Sequence, residues 1–156
     1  MRKRTITSPG TDTAPAADWL DLETIAIAEV SSEDPHQPVE GALLLDDARG
    51  WRAAGPGEQI LRLRFDLPQS IRRIWLKIDE PERERAQEFV LRWSPDGIGY
   101  HEVLRQQWHF SPGGSTVEVE DYEVALTAVA VLELSIQPDR NGGDARAGLT
   151  ALRLAG

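Results

Sequence analysis

Covalent or metal chemistry would fall to histidine, cysteine, serine and the carboxylates, and in this chain their types and spacing argue against it. The three histidines, His36, His101 and His109, fall at no metal-ligand spacing such as i, i+4 on a helix. Cysteine is absent, which removes thiolate nucleophiles, sulfur-ligated metals and disulfides together. No Gly-x-Ser-x-Gly elbow and no glycine-rich phosphate loop occurs. Carboxylates are plentiful, but Glu80, Glu82, Glu84 and Glu88 interleave with Arg83 and Arg85, the pattern of a solvated, self-neutralised loop. The expectation is a protein that binds without catalysing, with neither cofactor nor metal.

The chain that must position any binding residues has 156 residues, 40% of them hydrophobic, enough for one core and one domain. Met1–Arg4 is basic like the start of a secretory signal, yet Thr5–Ala17 is rich in Thr, Pro, Ala and Gly and holds no apolar stretch. Residues 1–21 are therefore expected to form a flexible tail and residues 22–156 the folded domain. No run of 18 apolar residues is present, so no membrane span is expected, and the missing cysteines suit a reducing, cytoplasmic setting. Lys and Arg number 17 against 26 Asp and Glu, and the net charge of −9 repels a phosphate backbone. That balance argues against nucleic acid as the general partner while leaving a local basic patch open.

From Thr24 onward, short period-two segments alternate with Pro, Gly and Asp at intervals of roughly ten residues, as in sandwiches and barrels. Thr24–Val30 reads as the first strand. In Gln59–Leu67, Leu61, Leu63, Phe65 and Leu67 share one face and Arg62, Arg64 and Asp66 the other. Pro68-Gln69 reads as a tight connection to Ser70–Asp79, where Ile74, Leu76 and Ile78 oppose Arg73, Trp75 and Lys77. Further strands are expected at Gln87–Ser94, Tyr100–Phe110, Ser115–Glu120, Val129–Gln137 and Leu149–Ala155, with Ser94-Pro95-Asp96-Gly97 as a turn. The result is an all-β jelly-roll sandwich of about eight mainly antiparallel strands.

Six landmarks then occur in a telling order: Val30-Ser31-Ser32-Glu33, Gly41-Ala42-Leu43 through Asp46-Asp47 ahead of Trp51, Gln59–Leu67, Ile71–Ile78, the Phe89–Gly97 hairpin with Val103, and Leu149–Gly156. In that order and spacing they resemble the galactose-binding, discoidin-like (coagulation factor 5/8 type C) family, which includes carbohydrate-binding modules. The resemblance implies a distorted jelly roll that holds sugar, phospholipid headgroup or protein with loops at one end. By position these loops are Ser31–Pro38, Trp51–Glu58 and Asp79–Ala86, polar connections of the kind that carry function on a rigid scaffold. His36, Trp51, Arg52, Glu58, Arg83 and Arg85 are the candidate ligand-binding residues, Trp51 being open to a second role as the core residue that closes the sandwich. Some members hold calcium between an Asp-Gly-Asp loop and a glutamate of the last strand. Asp46 and Asp47 match the loop, but Ala151 stands where the glutamate would be, so the ligand set falls short of calcium's six to eight oxygens.

Two strand faces add alternatives. Leu104, Gln106, Trp108 and Phe110 share a face that either packs into the core or forms a concave site, with Arg105, Gln107 and His109 outside. Trp75 between Arg73 and Lys77 either stacks on a cation or faces a partner. Carbohydrate is the leading expectation for the ligand. A cytoplasmic protein-interaction role is the rival, because Trp51–Glu58 and the strand after it also resemble the amino-terminal domain of the eukaryotic single-strand-break repair scaffold, whose members bind a polymerase and nicked DNA.

Overall fold

The structure, a computed structural model, describes residues 14–81 and 83–156. Residues 1–13, most of the expected tail, and Glu82, one of the interleaved carboxylates, lie outside the described residues. The described residues form eight strands: β1 (Ala26–Val30), β2 (Trp51–Pro56), β3 (Gln59–Asp79), β4 (Arg85–Ser94), β5 (His101–Phe110), β6 (Val117–Gln137), β7 (Arg146–Leu149) and β8 (Ala151–Ala155). Single helical turns occur at α1 (Leu22–Ile25) and α2 (Glu40–Leu43).

Apolar alternation in β3 resumes beyond Pro68, so the expected connection at Pro68-Gln69 is instead a bend inside one 21-residue strand. The ladder slips register between Arg64 and Arg73, where Pro68 has no N–H to donate and Asp66–Pro68 are exposed. Its partner β6 bends opposite, at Ala128 with φ 55°, and joins into one strand the two segments expected at Ser115–Glu120 and Val129–Gln137. Both long strands thus pass from one layer of the sandwich to the other. Gln59–Arg64 pairs with β1 and with Val131–Ile136, which pairs in turn with β4, and β4 pairs with β5. Arg73–Asp79 pairs with β8 and with Val117–Glu123. All of these pairings are antiparallel, and a separate two-stranded ribbon, β2 with β7, closes one side.

Between the layers pack Leu61, Leu63 and Leu134 from one and Ile74, Leu76, Ile78 and Leu152 from the other, each at most 3% exposed. Outward-facing charges on the first layer pair across strands, with Glu133 accepting from Arg62 at 2.8 Å and from Arg92 at 3.3 Å. The outer face of the second layer is covered as well. Arg153 donates to the carbonyls of Ala42 and Leu44, and Leu20 N–H donates to Leu154 O at 2.7 Å. Trp75, weighed above as a partner-facing residue, is 3% exposed under this cover, and Arg73 stacks on Trp19 at 5.1 Å from the ring centre.

Candidate ligand-binding site at the loop end

Ser31 and Ser32, where β1 ends, tie three segments together. Their hydroxyls donate to Gln59 Oε1 at 2.6 and 2.8 Å and accept from the N–H groups of Ile60 and Ala54. Trp51 Nε1–H donates to Ser32 O at 3.0 Å, and Trp51 is 2% exposed, so it occupies the sandwich-closing position rather than offering a ring to solvent. Beyond this clasp, Asp34 N–H donates to Arg52 O and Arg52 N–H donates to Gln37 O, which pins the 34–37 turn against β2. His36 is exposed on that turn, its N–H held by Asp34 Oδ1 at 2.9 Å.

Pairing of β2 with β7 sets Arg52 opposite Gly148. A Cβ there would meet Trp51 O at 3.3 Å and Arg52 Cζ at 3.4 Å, so the glycine makes room for the guanidinium. Arg52 Nη1 reaches Glu80 Oε2 and Arg146 O, both at 3.4 Å. Arg146 Nη1 in turn donates to Ala53 O at 3.2 Å and Asp34 Oδ2 at 3.3 Å, and Arg83 pairs with Asp144. These residues enclose a cavity of about 480 Å³ lined by Gln37, Arg52, Glu80, Pro81, Arg83, Asp144 and Arg146. A second cavity of about 260 Å³, reaching Asp79 and Thr150, shares Gln37, Arg52 and Pro81 with it.

Of the six expected residues, Arg52 and Arg83 line this cavity together, and Trp51 borders the second. Glu58 points elsewhere, accepting from Ser135 Oγ at 2.7 Å. Arg85 belongs to β4 and is 2% exposed, its guanidinium 4.7 Å over the Phe110 ring and donating to Pro138 O and Gln87 Oε1. It stands 3.7 Å behind Glu80, away from solvent, and burial pulls its pKa below the usual arginine value. Asp144 and Arg146 lie outside the three loops expected from the sequence, in the connection before β7, where Asn141-Gly142-Gly143-Asp144 is a turn signal.

The strand of Trp108 packs as a core face: Phe110 is fully buried, Trp108 half-buried, and Gln106 Oε1 accepts from Tyr122 at 3.4 Å. Outside it, Arg105, Gln107 and His109 engage Glu88 and Glu84. A larger cavity of about 690 Å³ lies where residues 14–19 meet Leu45–Ala48, Trp75 and Arg153. The calcium implied by the resemblance does not fit its donors. Asp47 is clamped by Arg49 Nε and Nη2, which pull its pKa down to about 2, and Ala151 on the same wall has no side-chain oxygen to offer. Among the described residues no three His, Asp or Glu side chains gather in a metal-holding group.

Comparison with solved structures defines the fold as the galactose-binding-domain-like jelly roll. A pectin-binding carbohydrate-binding module superposes with TM-score 0.61 at 20% identity, over 85% of this chain and 91% of that one. The family 32 carbohydrate-binding module of NanJ from C. perfringens, in complex with galactose, gives 0.61 at 14% identity over 87% and 96%. Reduced XRCC1 bound to the catalytic domain of DNA polymerase β gives 0.56 at 20% identity over 84% and 94%. No protein-family model and no curated protein sequence matches the chain. No helix among the described residues is long and apolar enough to cross a membrane.

Proposed function

We propose that this protein is a non-catalytic binding module that takes a carbohydrate in the loop-end cavity. The observation that carries the proposal is the convergence of Gln37, Arg52, Glu80, Arg83 and Arg146 from separate segments on one recess of about 480 Å³. That volume suits a small ligand, and amide, guanidinium and carboxylate groups are those that grip sugar hydroxyls. Two of the neighbours described above are themselves carbohydrate-binding modules. Among the described residues, the two carboxylates lining the recess are paired with arginines, Glu80 with Arg52 and Arg85 and Asp144 with Arg83, and Asp34 beside it pairs with Arg146. A carboxylate so engaged is a poor general base, which supports binding without turnover.

Titration of the labelled chain with mono- and oligosaccharides, followed by amide chemical shifts, tests the reading. Shifts should concentrate at Gln37, Arg52, Glu80, Arg83 and Arg146, and a panel that moves none of them would defeat it. A protein ligand is the second reading, favoured by the likeness to XRCC1, whose structure was solved with a polymerase domain.

A further inference from the structure

The residues lining the recess are unequal in a way that selects among sugars. None of them is aromatic, so the apolar C–H face of a neutral sugar finds no ring to stack on. Instead three guanidiniums face the space, and they are loosely held. Contacts made by Arg52 at 3.4 Å and by Arg146 at 3.2 and 3.3 Å sit at or beyond the long end of good N–H···O geometry, roughly 2.7–3.2 Å. Arg83 is half exposed, and its partner Asp144 is 83% exposed. Exposed pairs of that kind contribute little and exchange readily.

Asp144 also stands on an open loop. Gly142 and Gly143 before it adopt φ of 81° and 96° with nothing within 4 Å of a would-be Cβ, so this stretch is neither packed nor sterically locked. Among the described residues of the recess, Arg52 pairs with Glu80, Arg83 with Asp144 and Arg146 with Asp34, so a guanidinium is freed when Asp144 swings out.

We propose that the recess takes a sugar bearing a carboxylate, and that Asp144 is a resident carboxylate which the ligand's own acid group displaces from Arg83. The proposal rests on the carbohydrate reading above. A guanidinium matches a carboxylate in bidentate fashion, and the charge-assisted bonds gained on Arg83 and Arg146 replace a solvent-exposed pair. Arg52 and Gln37 are left for the ring hydroxyls. The neighbours' ligands do not choose between acidic and neutral sugars, one being described as binding pectin and another as holding galactose. The arginines of this chain do.

The test is calorimetric titration of the full chain with D-galacturonate, D-glucuronate and D-mannuronate, each beside its neutral counterpart, at low and high salt. At least one uronate should bind about tenfold tighter than its neutral counterpart, and the advantage should shrink as salt screens it. Asp144→Asn, which removes the competing acid, should tighten uronate binding several-fold and leave neutral sugars unchanged, whereas Arg83→Gln should abolish the preference. Both positions are exposed, so thermal unfolding of the variants should match the parent and exclude misfolding as the cause. Neutral sugars binding as well as uronates at the same residues would overturn the acidic-sugar proposal and keep the carbohydrate reading. If no sugar of either kind binds, both fall.

Discussion

Replacing Glu118 by glutamine should stabilise the protein, by an amount that grows with pH. Glu118 lies on the inner face of β6, fully buried, with Oε1 accepting from Gln87 Nε2 at 3.0 Å and Oε2 buried without a partner. Burial and the neighbouring Glu120 push its pKa up from the ordinary 4.5 to about 9, against a smaller opposing pull from Gln87 and Arg85. The folded protein therefore holds a proton that the unfolded chain releases above pH 4.5. Stability from this site is fully present below that pH and drains away as pH rises towards about 9. The slope is about 1.4 kcal/mol per pH unit, so some 3 kcal/mol is lost by pH 7, a sizeable share of the ~5–15 kcal/mol of a typical domain. Glutamine keeps the acceptor for Gln87 and never ionises. Urea unfolding of both proteins from about pH 5 to about pH 8 should give nearly equal stabilities at the acid end and a gap that widens by about 1.4 kcal/mol per unit. Titrating groups remote from Glu118 are common to the two chains and cancel in the difference, whereas the repulsion between Glu118 and Glu120 is relieved only in the variant. Parallel stability curves, or a glutamine variant that is weaker at neutral pH, would refute the argument.

Other substitutions probe the scaffold around the recess. Gly148→Ala drives a methyl against Trp51 O and Arg52 Cζ, so it should cost about 1–3 kcal/mol and weaken sugar binding together, measured by thermal unfolding and calorimetry. Trp51→Phe loses the bond to Ser32 O and some buried area, for about 1–2 kcal/mol in urea unfolding, with the sugar-induced shifts at Arg83 and Arg146 retained. Millimolar calcium should leave the melting temperature unchanged, since Arg49 already occupies Asp47; a rise would show that the ion outcompetes it.

The parts of the fold that could be read in advance are those whose signal is local. The turn at Ser94–Gly97 is one: Gly97 has φ 78°, Ser94 Oγ accepts from Gly97 N–H at 2.8 Å, and Asp96 Oδ1 accepts from Ile98 and Gly99. The alternation of β3 and β4 is another. What stayed hidden depends on distant partners. Trp51–Pro56 has too little β character to read as a strand and becomes one by pairing with Arg146–Leu149, nearly a hundred residues on. Residues 121–128 of β6 lie between the two strands expected there, yet they continue the ladder opposite β3, with Tyr122, Val124 and Leu126 packed against the core. Arg85 falls within the third expected loop by position, yet the period-two phase of β4 places it on the same face as Gln87, Phe89 and Leu91, all of them fully buried.

That inward arginine bears on how the recess works. Glu80 is 7% exposed and shared, with Arg52 on the solvent side at 3.4 Å and Arg85 on the core side at 3.7 Å. Behind Arg85 the polar contacts continue through Gln87 to Glu118, so a row of buried polar groups backs the end of the cavity where an ordinary sandwich would be apolar. Buried charge of this sort is costly unless each partner is held in place, and Arg85 Nε and Nη2 remain without hydrogen-bond partners. Arg85 on one side and Arg52 on the other hold the Glu80 carboxylate between the core and the mouth of the cavity. The loops therefore do not set the chemistry of the recess alone. On the proposed reading Arg83 and Asp144 are the pair that exchanges, while Glu80, against which Arg52 rests, is backed from the core side by Arg85.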